Sequence, residues 1–171
     1  MNDFDRMYLC DELLARKFSG AKRAIEICTV QDYNFSFTPE EEEKLTAQWS
    51  GIIRKAIANG TEITQIQLCT VPISQKMKAY LAETDAHFKR FGEKFYVISQ
   101  ADFEMISDGW PLTRQIWNID DKKVIFADFT ENGKMPGEEE PTDAKSKQKA
   151  INISKKSLEL ALKPEEFLRV H

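Results

Sequence analysis

Two adjacent acids are the residues in this chain whose type and spacing most directly suggest chemistry. Asp120 and Asp121 stand in "IWNIDDKKVIFADF" (116–129), between two apolar runs. Two neighbouring carboxylates can share a proton or ligate a cation. At the tip of a hairpin they serve the backbone instead, accepting hydrogen bonds from nearby N–H groups. The apolar residues on either side, Ile119 and Val124, favour the turn.

Other chemical groups are few. The chain has two histidines, His87 and His171, and His171 is its last residue. His87 lies in "DAHFKRFG", at the polar–apolar border of a predicted helix, where a solvated helical residue is the ordinary role. A serine-histidine-acid triad would have to use His87, and no G-x-S-x-G elbow supports one. Neither GxGxxG nor GxxxxGK[ST] is present, so the glycine-loop routes to nucleotide binding have no support. The cysteines Cys10, Cys28 and Cys69 are odd in number, far apart and outside any CxxC, which argues against a disulfide framework or a zinc site. They read as reduced, packed thiols. No metal site and no cofactor are expected.

With 171 residues, the chain is expected to form one domain over 1–171. A domain of this size buries roughly 70% of its extended-chain surface, so it needs no metal or disulfide staple. The net charge of −4 argues against a broad nucleic-acid surface. A local basic face remains on the last predicted helix, where Lys145, Lys149 and Lys156 are candidates for contacting nucleic acid or a protein partner. Such a run is more often the solvated side of a helix. The N-terminus has early acids and no apolar stretch of signal type, and no apolar run approaches the roughly 20 residues of a membrane span. A cytoplasmic protein is the expectation.

Several elements must position these groups. A helix is predicted from Asp3 to about Phe18, stopped by Gly20. "AIEICTV" (24–30) reads as a strand with Ile25 and Ile27 on one face. Thr38, Pro39 and Glu41 form the clearest helix start, a capping box with proline in the first turn. The run Glu40–Glu43 then complements the positive helix end and has no need of a cation. Asn59-Gly60 closes this helix. "TEITQIQLCTV" (61–71) is a second strand, and Ser74 begins a helix that Gly92 ends. "KFYVIS" (94–99) is a third strand, followed by a short helical turn and the hairpin around Asp120. Residues 130–143 read as an exposed polar loop. A last helix covers about 143–162, and Pro164 begins a short tail. This order implies an α/β fold: a mainly parallel sheet, helices on both faces and a closing antiparallel hairpin.

In such sheets ligands collect beyond the carboxyl ends of the strands. Thr29, Gln31, Asp32 and Tyr33 follow the first strand, Thr70 ends the second, and the helix after Ser74 offers free N–H groups that suit an anion. Ordinary capping is the competing reading of Ser74.

The stretch "QWSGIIRKAIANGTEITQIQLCT" (48–70) resembles the helix-Gly-strand unit of the phospholipase-D-like superfamily. "RQIWNIDDKKVIFADF" (114–129) resembles that superfamily's later hairpin. Together they cover about a quarter of the chain. The chain is also similar to an uncharacterised bacterial family often encoded beside helix-turn-helix regulators. The resemblance implies a phospholipase-D-like architecture. The enzymes of that superfamily carry H-x-K-x-x-x-x-D. With Asp120 in the acid's place, Thr113 and Gln115 stand where His and Lys belong; with Asp121 there, Arg114 and Ile116 do. Neither pair supplies a nucleophile.

The expectation is therefore a non-catalytic regulatory protein that binds a small anionic ligand or a protein partner, possible as a homodimer. Its ligand candidates are Tyr33, Thr70, Arg114 and Trp117, with Arg114 expected in the cleft as a clamp for phosphate or carboxylate. Two alternatives stand beside it: nucleic-acid or transcription-partner binding through the Lys-rich helix, and a phosphodiesterase or nuclease using His87 and Lys89 of the only H-x-K.

Overall fold

The computed structural model describes residues 3–31, 37–129 and 137–171. In chain order the elements are α1 (Asp3–Phe18), β1 (Arg23–Cys28), α2 (Pro39–Ala58), β2 (Glu62–Cys69), α3 (Gln75–Phe91), β3 (Lys94–Ser99), α4 (Gln100–Ser107), β4 (Arg114–Ile119), β5 (Lys123–Asp128), β6 (Gly137–Glu139), α5 (Ala144–Leu160) and α6 (Pro164–Val170). The six strands make one sheet in the order β3-β2-β1-β4-β5-β6.

The α/β class and the helices on both faces agree with the sequence. α4 and α5 cover one face, where Phe103, Ala150, Ile151 and Ile153 pack against Ile25, Ile27, Ile66 and Leu68. α1 and α2 cover the other, with Leu14, Phe18 and Ile53 on Ala24, Trp117 and Ile119. α3 and α6 extend this second layer over β3, through Leu81, Phe88 and Phe167 on Phe95 and Val97.

The sheet is mixed, which corrects the expected mainly parallel arrangement. β1, β2 and β3 run parallel. β4 lies antiparallel to β1, and β5 and β6 continue antiparallel. The cause lies between β3 and β4. α4 has eight residues, about 12 Å of axial rise, and the left-handed pair Asp108 and Gly109 (φ 49° and 69°) turns the chain back after it. β4 therefore starts at the end of the sheet at which β3 stopped and runs back the other way, beside β1. The hairpin is no added rim: its first strand is paired on both sides, to β1 and to β5.

Two further expectations change. Residues 137–139 of the predicted polar loop form β6, with Phe126 opposite Glu139 and Asp128 opposite Gly137; residues 130–136 lie outside the described residues. The tail after Pro164 is a helix, because Phe167 has a place in the core, 1% exposed. The chain is led there by Leu162, whose N–H and C=O pair with Val97 at 2.9 and 2.8 Å.

The local signals read from sequence are present as bonds. The Thr38 hydroxyl accepts from the Glu41 N–H at 3.2 Å, and the Glu41 carboxylate accepts from the Thr38 N–H at 2.8 Å. Gly92 ends α3 in the left-handed region, at φ 82°.

Candidate functional site

Alternation along the strands decides which side chains share a face. On the face under α1, α2 and α3, the register sets Gln65 of β2, Glu26 of β1 and Trp117 of β4 in one cross-strand row. The next row toward the carboxyl end of β1 holds Gln67 and Cys28, with Gln115 and Ala127 paired beyond them. The Gln115 amide Nε2 lies 3.3 Å from the Cys28 sulfur and donates to it. A carboxylate and several amides thus occupy the middle of the sheet on this face.

A cavity of about 730 Å³ opens above this floor. Glu26, Gln65, Gln115 and Trp117 form part of its base, together with Cys28 and Ala127. Its walls come from the helices: Asp11 and Leu14 of α1, Glu42, Leu45 and Trp49 of α2, and Tyr80 and His87 of α3. Phe37 and Phe129 close it further. The size is that of a pocket for a small organic molecule. The cavity stands over the faces of β1 and β4, the two central strands of the sheet, beneath the helices that cover this side.

The pocket wall is rigid in places. Trp117 is buried and meets the rings of Phe18 and Trp49 edge-on, at centroid distances of 5.4 and 5.9 Å. The Tyr80 hydroxyl is 3.4 Å from the Gln67 side-chain oxygen, to which it donates. Burial pushes the Tyr80 phenol well above its ordinary value, and Cys28 and Glu26 add to this electrostatically. Tyr80 is therefore a neutral hydrogen-bonding group at physiological pH. The carboxylates of the cavity do not converge on one point: among the described residues no group of three His, Cys, Asp or Glu could hold a metal ion.

The sequence candidates are dispersed. Trp117 contributes to the cavity, but Arg114, three residues earlier on the same strand, points to the opposite face. There its guanidinium donates to Asp128 at 2.6 and 2.8 Å and to Glu139 at 2.8 Å, and it lies 4.9 Å from the Phe126 ring centre. The hydrogen bond to Asp128, opposed by burial, raises the Arg114 pKa. The expected anion clamp is thus an internal fork tying β4, β5 and β6. Thr70 stands at the carboxyl edge, bordering a separate 530 Å³ recess with Gln31, Ser74 and Tyr80. Its N–H donates to the Gln31 side chain at 2.7 Å, and its hydroxyl contacts Gln31 and Gln100 at 2.8 and 3.0 Å. Ser74 caps α3 by accepting from the Met77 N–H at 3.1 Å. Tyr33, with Asp32, lies outside the described residues.

The H-x-K residues diverge. Two positions apart on a helix is about 200° of rotation. His87 turns inward, edge-on to Phe91 at 4.6 Å, while Lys89 is exposed and paired with Asp85 at 2.5 Å. His87 also sits near the end of α3 remote from Ser74, some 20 Å along the helix from the carboxyl ends of the strands.

On α5, the exposed Lys145 and Lys156 and the half-buried Lys149 share a face with Gln148, Asn152 and Glu159. Lys149 donates to the Asp108 carbonyl at 2.7 Å, and Lys155 pairs with Asp121 at 3.0 Å. Cys69 is fully buried, and burial pushes its thiol up to about 12, so it is no nucleophile.

Asp120 and Asp121 form no reactive pair. Both have φ of 56°, in the left-handed region that aspartate tolerates at turns. Asp121 accepts from the Asn118 amide at 2.9 Å and from Arg23 and Lys155, each at 3.0 Å. Burial raises its pKa, but Asn118, Lys155 and Arg23 together outweigh that and hold it below the usual carboxylate range.

Sequence reasoning missed Glu26, Gln65 and Gln115. A signal was present. Strands covered on both faces read as near-continuous apolar runs, and "AIEIC", "TQIQL" and "RQIW" each break that pattern at alternate positions.

One family profile, described as "Domain of unknown function (DUF6879)", matches residues 29–169. No curated protein matches the chain. No helix among the described residues is long and apolar enough to cross a membrane.

Proposed function

Because the chain belongs to the family described as Domain of unknown function (DUF6879), its role has to be argued from its own site, and we propose that it is a non-catalytic protein that binds a small molecule in the cavity between the sheet and α1, α2 and α3. The observation that carries this reading is the row Gln65–Glu26–Trp117 across three adjacent strands. Polar side chains at the centre of a sheet cost stability unless they are satisfied. Here they form the floor of a ligand-sized cavity, where a bound molecule meets polar groups that an apolar strand would not offer.

A regulatory role without chemistry is supported by the side chains at the superfamily's catalytic positions. Thr113 with Gln115, or Arg114 with Ile116, provides no activated nucleophile. His87 and Lys89 face different ways. A phospholipase-D-like ancestry fits the helix–Asn59-Gly60–strand unit and the hairpin at Asp120, and it belongs to the same proposal.

The three tryptophans give a direct test. Trp49 and Trp117 border the cavity. Trp110 lies on the opposite face, where its indole N–H donates to the Arg114 carbonyl at 2.9 Å. In a screen of small organic molecules read by the indole N–H resonances, a true ligand shifts Trp49 and Trp117 and leaves Trp110 in place. Ala127→Leu, which fills the cavity base, removes the response. Binders that move only Trp110, or that ignore Ala127→Leu, would refute the reading.

A further inference from the structure

α2 has two sides. One walls the cavity through Leu45 and Trp49. The other is exposed at Glu43, Ala47, Gly51 and Arg54. These four residues and the half-buried Ser50 border a shallow groove of about 640 Å³ on the outer side. Glu43, Ala47, Ser50 and Arg54 are spaced i, i+4, i+7 and i+11, so they lie in one stripe along the helix. The stripe is acidic at its start, small in its middle and basic at its end. We infer that this face pairs with the same face of a second copy of the chain, the two α2 helices running antiparallel about a two-fold axis midway along the stripe. This pairing does not depend on a ligand in the cavity.

The charges are self-complementary. An antiparallel pair sets Glu43 opposite the partner's Arg54 and Arg54 opposite the partner's Glu43, with Ala47 opposite the partner's Ser50. An interface between identical patches requires such reciprocity. Among the described residues neither Glu43 nor Arg54 has an ion-pair partner, whereas Glu40 pairs with Lys44 and Glu41 serves the capping box. The Arg54 guanidinium lies over the Phe91 ring, 4.4 Å from its centre. Stacking holds the flat face and leaves the in-plane N–H groups to donate to a carboxylate. Gly51 stands inside the helix, where glycine costs roughly 1 kcal/mol against alanine. A Cβ there would meet no described residue within 4 Å. Its own chain therefore does not require the glycine. Beside Ala47 and Ser50 it keeps the stripe low, and small side chains at a contact let helix axes come close. One helix pair buries less than the roughly 1,200 Å² of a standard interface, so a weak dimer is expected, with a Kd on the order of 10–100 µM.

Sedimentation of the full chain from about 1 to 300 µM brackets that Kd and tests the pairing. Arg54→Glu should weaken association at least about tenfold by setting like charges against each other, and Glu43→Arg should do the same. The double variant Glu43→Arg with Arg54→Glu exchanges the charges and should restore association, an outcome that damage to the fold cannot produce. Raising the salt concentration should weaken the parent dimer. Should Arg54→Glu unfold for want of its Phe91 contact, as circular dichroism would show, Glu43→Arg and Ala47→Gln carry the test, and each should dissociate the dimer. A chain that stays monomeric throughout, a dimer that survives the single variants, or a folded double variant that stays dissociated overturns the pairing.

Discussion

Asp120 and Arg23 clasp each other across 97 positions of sequence. The Asp120 carboxylate accepts the Arg23 N–H at 2.8 Å, and the Asp120 N–H donates to the Arg23 carbonyl at 3.0 Å. The same carboxylate also accepts the Lys22 N–H, at 3.0 and 3.2 Å. The tip of the β4–β5 hairpin is thereby fastened to the first residue of β1. Asp120→Ala removes a charged acceptor from two backbone donors and forces alanine into a left-handed conformation. A loss of about 2–4 kcal/mol is expected. Asp120→Asn keeps an acceptor and tolerates the turn, so its loss should be nearer 1 kcal/mol. Urea unfolding of the two variants checks the ranking, and equal losses would mean that the acceptor does not matter.

Glu93 sets a pH dependence. It is buried after Gly92, and burial pushes its carboxyl up from 4.5 to about 7. The folded state thus holds the proton more tightly than the unfolded chain does. That stability is fully present below about pH 4.5 and is lost as pH rises through 7. The gap corresponds to roughly 3 kcal/mol at most. Glu93→Gln should be more stable than the parent at pH 8 and should flatten the profile between pH 4.5 and 7. Denaturant midpoints across that range measure it.

Phe167 makes the end of the chain part of the core. Phe167→Ala leaves a void beside Phe88, Phe95 and Val97, with an expected cost of about 3–5 kcal/mol. Calorimetry would read this as a fall in Tm. A change no larger than that of an exposed substitution such as Val170→Ala would show that α6 is dispensable.

Arg114→Ala should loosen β6. The side chain is the ionic link between β4 and Glu139, so hydrogen exchange at 137–139 should accelerate while β1–β3 stay protected. Arg114→Lys cannot reproduce the two-pronged contact with Asp128 and should restore little. Neither variant should change probe binding at Trp49 and Trp117, because Arg114 faces away from them.

Much of this fold was legible wherever the signal was local. Thr38 with Glu41, Asn59-Gly60, Ser74 and Gly92 mark helix ends through bonds between near neighbours, and the strand 94–99 is found where it was predicted. Pairing across long separations was not legible. Nothing near Arg114 states that its strand runs beside β1 in the opposite sense, and the acceptor role of Asp120 depends on donors in a distant strand. The site had the same difficulty. Trp117 and Arg114 look like neighbours in sequence, but pleating sends them to opposite faces. Glu26, Gln65 and Gln115 look like isolated polar residues until the strand order makes them adjacent. α6 was missed because the one residue that fixes it, Phe167, finds its partners on β3 and α3.

The place of β4 beside β1 carries a kinetic consequence. β1 is synthesised well before β4, and one of its two hydrogen-bonding edges is filled by residues 116–119. Until those are synthesised, an apolar strand presents an open edge, the kind of surface on which chains pair wrongly. Folding should therefore finish late and in one step, when the hairpin slots in and the Asp120 clasp closes.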